Sequence, residues 1–236
     1  MQPRFVGRLS AADVVTVANA VLGFAATVTA VAVSPSLAAR LVLLGAIADG
    51  LDGVLARRYG SSDAGAMLDS LADVSTFVVA PAVITVSLAR ELPATDPEPF
   101  AIAVAAGGLF VGAGVLRLGM YAAFDADAHS TEGVPTTLAA TLLAALALAN
   151  VTAVGTTIGG VAGPTIAAVV TVVLAVAMLA PITYPDLLAG DALVLGVVQT
   201  FAVLAPDALD GAFPLALLLC ALAYLLLSPR FYWREA

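Results

Sequence analysis

Asp49 to Asp73 reads DGLDGVLARRYGSSDAGAMLDSLAD, a stretch that sets Asp49, Asp52, Asp63, Asp69 and Asp73 between runs of residues suited to lipid. Asp49, Asp52, Gly53 and Ala56 are spaced i, i+3, i+4 and i+7, so on a helix they share one face. Gly65, Asp69 and Asp73 step by four along one face of the next helix. A short polar connection makes the two helices antiparallel neighbours, so four carboxylates can converge. Gly53, Ala56 and Gly65 lack bulk there, which leaves room for something to approach the backbone. Asp63 follows two serines and reads as a helix cap outside the cluster.

An aspartate at the centre of a membrane helix costs roughly 2.5–3.5 kcal/mol, so four cost on the order of 10–14 kcal/mol before their mutual repulsion. Arg57, Arg58 and Arg117 are the nearby cations, too few to offset that. Divalent cations would. Oxygen donors without histidine or thiolate select Mg²⁺, Mn²⁺ or Ca²⁺ over zinc. Four carboxylates on two helices can hold two such ions about 3.5–4 Å apart, the arrangement that clamps a phosphoryl group in transfer. A bare D-x-x-D in a membrane helix would equally suit an ion or proton pathway.

Outside this stretch the chain is apolar: 61% of its 236 residues are hydrophobic and 11% are charged, where a soluble domain has about 25% charged. It reads as an all-α polytopic membrane bundle. Residues 14–33, 37–55, 67–89, 100–123, 136–154 and 158–182 are each near the roughly 20 apolar residues a crossing needs. Residues 192–205 and 211–227 are shorter and read as a further pair. The expected organisation is a membrane core over residues 1–185, opening with an interfacial segment at 1–12. A C-terminal transmembrane hairpin with a short tail follows at 186–236. With the N-terminus in the cytoplasm, every arginine except Arg40 and Arg90 falls at the cytoplasmic side, as the positive-inside rule requires. Both termini and the carboxylate cluster are then cytoplasmic. Tyr232 and Trp233 read as an interface anchor for the last span.

Seventeen acidic residues against nine basic give a formal net charge of −8, which argues against nucleic acid as a partner. All the basic residues are arginine. That acidity points to a salt-adapted source. Cys220 has no second cysteine to pair with and reads as a small buried hydrophobe. His129 is the only histidine, so a histidine-based metal cluster is excluded.

The full pattern is D-x-x-D-G-x-x-A-R, then seven residues, then G-x-x-x-D-x-x-x-D. It resembles the signature of the CDP-alcohol phosphotransferase family, membrane enzymes that join a CDP-activated group to an alcohol and release CMP. The connection between the two halves is one residue shorter than is usual in that family. The resemblance implies that Asp49, Asp52, Asp69 and Asp73 hold two Mg²⁺ or Mn²⁺ ions, with Asp73 also the general base. It implies that Gly53, Ala56 and Gly65 pack against the cytidine nucleotide and that Arg57 lies near the nucleotide or its diphosphate. A homodimer is implied too.

Flanking words are similar to those of the serine-using members. LDSLADVSTFVVAPA at 68–82 resembles their third span, VLRLGMY at 115–121 their fourth, and TEGVPTTLAATLL at 131–143 the start of their fifth. Asn19, in TVANAVLGF, matches a first-span pattern and reads as a buried polar contact. MLAPITYPDLL at 178–188 resembles the terminal region of compact members. The implied substrates are L-serine and a CDP-lipid, and Arg117 is the candidate to hold an anionic substrate group. With the acidity and the absence of lysine, this subgroup suggests an archaeal halophile and CDP-archaeol, with CDP-diacylglycerol the other possible donor. Two alternatives stay open: another acceptor (glycerol phosphate, inositol phosphate or glycerol), or a cation transporter built on the same acids.

Overall fold

The computed structural model describes residues 9–92, 98–125, 130–153, 155–185 and 187–232. The expectations for Arg4, Arg8, His129, Trp233 and Arg234, and for most of the interfacial segment, fall outside them. The chain is a bundle of α-helices with two short antiparallel ladders.

Helix α1 (Ala11–Ala32) opens on a capping box, in which Ser10 Oγ accepts from the Asp13 amide and the Asp13 carboxylate accepts from the Ser10 amide. The two orphan donors of a helix start are thereby satisfied. Its 22 residues rise about 33 Å at 1.5 Å per residue, enough for a bilayer core. The helix is built the reverse way from one in a soluble protein. Val14, Val17, Val21, Phe24, Val28 and Val31 are exposed, while Thr16, Asn19, Gly23, Ala26 and Ala30 are buried. Large apolar side chains face outward as lipid requires, and small or polar ones make the helix–helix contacts.

Ser34 and Pro35 turn the chain into α2 (Pro35–Tyr59), which pairs extensively with α1. Helix α3 (Gly65–Asp73) runs through a π-helical turn at Val74–Val79 into α4 (Ala80–Arg90), one rod of 26 residues. The π turn docks on α1: Ser75 Oγ donates to the Ala20 carbonyl at 3.2 Å and Thr76 Oγ1 to that of Asn19 at 2.8 Å. Three helices approach so closely at Thr76 that glycine is required beside it. A Cβ on Gly23 would lie 2.5 Å from Thr76 Oγ1, and one on Gly45 would collide with Thr76 Cγ2.

Helix α5 (Glu98–Met120) continues into a second π-helical turn at Tyr121–Asp125 and packs on α4 and on α7 (Gly163–Met178). Helices α1, α3–α4, α5 and α9 (Ala212–Phe231) are long and apolar enough to cross a membrane. The fifth and sixth apolar segments form shorter helices than their composition suggests. Helix α6 is Thr136–Leu148 and α7 is Gly163–Met178. Between them lies a hairpin, β2 (Thr157–Ile158) with β3 (Val161–Ala162), turned by Gly159 and Gly160 at positive φ. Helix α6 is apolar all round, as suits a helix buried on all sides. Ala139 through Leu148 are all buried, against α2, α7 and α9.

The C-terminal pair is fastened to the core by side chains that satisfy backbone carbonyls. Gln199, on α8 (Ala189–Leu204), donates to the Leu43 carbonyl at 2.7 Å, and Arg40 Nε donates to that of Val203 at 2.6 Å. At the other end, Tyr224 Oη donates to the Pro185 carbonyl and Tyr184 Oη to that of Leu225. Tyr232 bonds to Asp191 and accepts from the Leu188 amide. Tyr184 and Tyr224 hold α9 against β4 (Thr183–Pro185), which pairs antiparallel with β1 (Ser130–Glu132) in the register Thr131 opposite Tyr184.

Candidate metal and substrate site

The helical arithmetic of α2 and α3 brings Asp49, Asp69 and Asp73 together, each offering a carboxylate oxygen within 4.8 Å of the others. Asp49 and Asp69 are half-buried and Asp73 is buried. Asp73 Oδ1 is buried and has no hydrogen-bond partner. An acceptor in that position normally finds a donor or a cation.

Asp52 departs from the four-carboxylate expectation in one respect. It is buried one turn beyond Asp49, but its Oδ2 accepts the Thr16 hydroxyl at 2.7 Å, across the α1–α2 interface. Its charge remains within electrostatic reach of the other three. Asp52 is thus a neighbour of the triad, held by a partner on another helix.

The donor set fits hard divalent cations. Two oxygens on opposite sides of Mg²⁺ lie about 4.2 Å apart and around Ca²⁺ about 5 Å. A spacing within 4.8 Å closes on either with little movement. Asp49, Asp69 and Asp73 would be the ligands, and the partnerless Asp73 Oδ1 is the observation that favours a cation over a neutral network. From α1, Thr16 reaches Asp52 and the capping-box Asp13 lies beside Gly65, and both add oxygen and no thiolate or imidazole.

The small residues and Arg57 line the adjoining face. Arg57 is exposed and folds back over Gly53, where a Cβ would lie 3.5 Å from Arg57 Nη1. Ala56 is half-buried one turn later on α2. Gly65 starts α3 beside Asp13, and a Cβ there would lie 3.3 Å from Asp13 Oδ1 and 3.0 Å from Ser61 Cβ. The α2–α3 connection and the start of α1 therefore form one surface next to the carboxylates.

Arg117, in the last turn of α5, is buried. Its Nη2 donates to Thr131 Oγ1 at 2.9 Å, its guanidinium lies 5.9 Å from the Tyr121 ring centroid, and it is within electrostatic reach of Asp73. It opens on a cavity of about 330 Å³, also lined by Tyr121, Glu132, Met178 and Leu179. Gly133, directly after Glu132, has φ +75°, and a Cβ there would collide with the Met178 carbonyl. Its amide donates to the Ile182 carbonyl at 2.8 Å. Only glycine lets the chain pass from β1 into α6 at this point.

Thr16, Thr131, Tyr121 and Glu132 are the site residues that motif reasoning missed. For Thr16 a signal existed: Asp13, Thr16 and Asn19 form a polar stripe on a helix otherwise built for lipid. The other three become neighbours only once α5 and β1 meet.

A family model described as CDP-alcohol phosphatidyltransferase matches residues 9–198. A curated relative, the archaetidylserine synthase of Methanothermobacter thermautotrophicus, is 31% identical over 134 residues. That alignment covers 56% of this chain and 54% of the relative, so the chain spans about half the length of the curated relative it matches.

Proposed function

This chain belongs to the CDP-alcohol phosphatidyltransferase family, and from that premise we propose that it transfers the archaetidyl group of CDP-archaeol to the hydroxyl of L-serine, releasing CMP. CDP-diacylglycerol is the other donor within this reading. The observation that carries the chemistry is the meeting of Asp49, Asp69 and Asp73 around the partnerless Asp73 Oδ1. The acceptor rests on the likeness to an archaetidylserine synthase and on the serine-type flanking words.

Asp49, Asp52, Asp69 and Asp73 would hold two Mg²⁺ or Mn²⁺ ions, with Asp52 swinging from Thr16 or contributing its charge from there. Bound divalent ions supply neutralisation of the diphosphate and of the charge that builds on the leaving phosphate. Asp73 accepts the proton of the serine hydroxyl. The freed oxygen bonds to the lipid-linked phosphorus as the bond from that phosphorus to the bridging oxygen breaks. CMP leaves with the electron pair, and no covalent enzyme intermediate forms. Arg57 lies over Gly53, where it can support the diphosphate while Gly53, Ala56 and Gly65 accept the cytidine. Arg117 holds the serine carboxylate.

The reaction is on the cytoplasmic side in this reading, and the active unit is a homodimer. Purified protein supplied with CDP-lipid, Mg²⁺ or Mn²⁺ and labelled serine should release CMP and form labelled phospholipid. Metal-dependent CMP release with glycerol phosphate but not with serine would overturn the acceptor and keep the family chemistry.

A further inference from the structure

We propose that the cavity between α5 and β1 recognises a zwitterion, with Glu132 receiving the ammonium group of the acceptor while Arg117 takes its carboxylate. This rests on the serine-transfer reading and extends it to the residue that selects an amino acid over other alcohols. Three polar residues interrupt an otherwise apolar lining of methionine, leucine, alanine and proline: Arg117, Tyr121 and Glu132. One side chain of each sign is present, so the cavity walls carry no net charge. An apolar cavity with a few fixed polar groups is the usual form of a small-molecule site.

The acceptor classes open to this family place different demands on such a cavity. A phosphate-bearing alcohol brings roughly two negative charges, which would meet one arginine and be opposed by Glu132. A neutral polyol would leave both the buried Arg117 and the exposed Glu132 without a charged counterpart in the ligand, forfeiting the strongest hydrogen bonds available. A zwitterion satisfies both. Its size also fits, since about 330 Å³ holds an amino acid and several waters at roughly 30 Å³ each.

Glu132 is held in place by the fold. It ends β1 opposite Thr183, immediately before Gly133, whose backbone packs on Met178 of the same cavity. Its neighbour Thr131 accepts from Arg117, which fixes the strand to the arginine. Arg117 in turn reaches Asp73 electrostatically. Carboxylate, ammonium and reacting hydroxyl of one small molecule thus have three separate protein partners.

The test uses the whole 236-residue chain, a CDP-lipid donor and saturating Mg²⁺, with CMP release measured for serine, glycerol phosphate, ethanolamine and 3-hydroxypropionate. The last two lack the carboxylate and the ammonium respectively. Wild-type protein should prefer serine to 3-hydroxypropionate. Glu132→Gln should raise KM for serine by roughly tenfold, the size of one charge-assisted hydrogen bond at a partly wet site, with kcat within about twofold. KM for 3-hydroxypropionate and for the CDP-lipid should not rise, and Glu132→Asp should recover part of the serine affinity. An unchanged serine KM in Glu132→Gln, or wild-type indifference between serine and 3-hydroxypropionate, overturns the proposal. The second comparison needs no variant to fold. Preference of the wild type for glycerol phosphate would overturn the serine reading as well, whereas serine turnover with an inert Glu132 would overturn only this inference.

Discussion

The Thr16 hydroxyl donates to the Asp52 carboxylate at 2.7 Å, and both residues are buried. One hydrogen bond from α1 therefore ties the fourth aspartate of the motif to a neighbouring helix. Replacing Thr16 by valine keeps the shape and leaves a buried carboxylate with one donor fewer, a loss of about 1–3 kcal/mol. Freed of that donor, Asp52 can turn to the cation, so Thr16→Val should bind Mn²⁺ severalfold more tightly than wild type in a direct titration, while Thr16→Ser stays near wild type. Identical Mn²⁺ affinity in all three proteins would detach Thr16 from the site.

Asp69 stands half-buried among like charges, so its effect on stability should reverse with metal. With EDTA present, Asp69→Asn should unfold at a higher temperature than wild type, because one repulsion is gone. Excess Mg²⁺ should raise the wild-type Tm through binding to the folded state and raise that of the variant less. A rise of about 2–4 °C corresponds to 1 kcal/mol at this chain length. Equal Mg²⁺ shifts in both proteins would argue against the carboxylate cluster as a cation site.

In the proposed reaction Asp73 takes the acceptor's proton, and Asp73→Asn should lower kcat by roughly a hundredfold or more, the usual worth of a positioned base. Asp73 is also a proposed metal ligand, so Mn²⁺ affinity should fall too, by a smaller factor than kcat. Near-normal turnover in this variant would leave the proton without its assigned receiver.

Much of this was legible in the sequence, and the reason is periodicity. Asp49 with Asp52 and Asp69 with Asp73 are related by helical spacing alone, so the shared face followed once the two segments were taken as adjacent helices. The turn of Asp52 toward Thr16 was not legible, because its partner is 36 residues away on another helix. The π turn after Asp73 had no sequence signal, since VSTFVV suits an α-helix as well. The shortness of α6 and α7 had one: TTIGGVAG at 156–163 places two glycines between short β-prone runs, a hairpin pattern that the surrounding apolar composition concealed. Glu132 was hidden for a different reason, as it reaches the site through pairing with a strand that follows fifty residues later.

Gly133 should be the least replaceable residue near the acceptor cavity. Gly133→Ala forces a Cβ onto the Met178 carbonyl at a positive φ, and strain of that kind costs about 1–3 kcal/mol. The variant should show a raised KM for acceptor, a normal KM for CDP-lipid and a lower Tm. Wild-type kinetics and stability would show that β1 is not held as described.

If the cavity takes the acceptor as proposed, Tyr224 gives the C-terminal pair a part in its binding. Its hydroxyl reaches the Pro185 carbonyl at the end of β4, and β4 carries β1. Tyr224→Phe should lose about 1 kcal/mol of stability and raise KM for acceptor modestly, with the Mn²⁺ affinity unaltered. A change in Mn²⁺ affinity instead would mean that α9 braces the carboxylates and not the strand.

The wide turn at Val74–Val79 sits between the half of the third crossing that bears Asp69 and Asp73 and the half that packs into the bundle. One α-helical residue corresponds to about 100° of rotation, so this turn sets the angular phase between chemistry and scaffold. Excising a single residue there would restore regular α-helical winding with the phase nearly kept, whereas excising one from the α-helical winding of α4 would turn the two acidic groups by about 100° against the scaffold, away from Asp49. The meeting of Asp69 and Asp73 with Asp49 is thus stored as an angular phase of the backbone, which the wide turn absorbs and carries into the bundle.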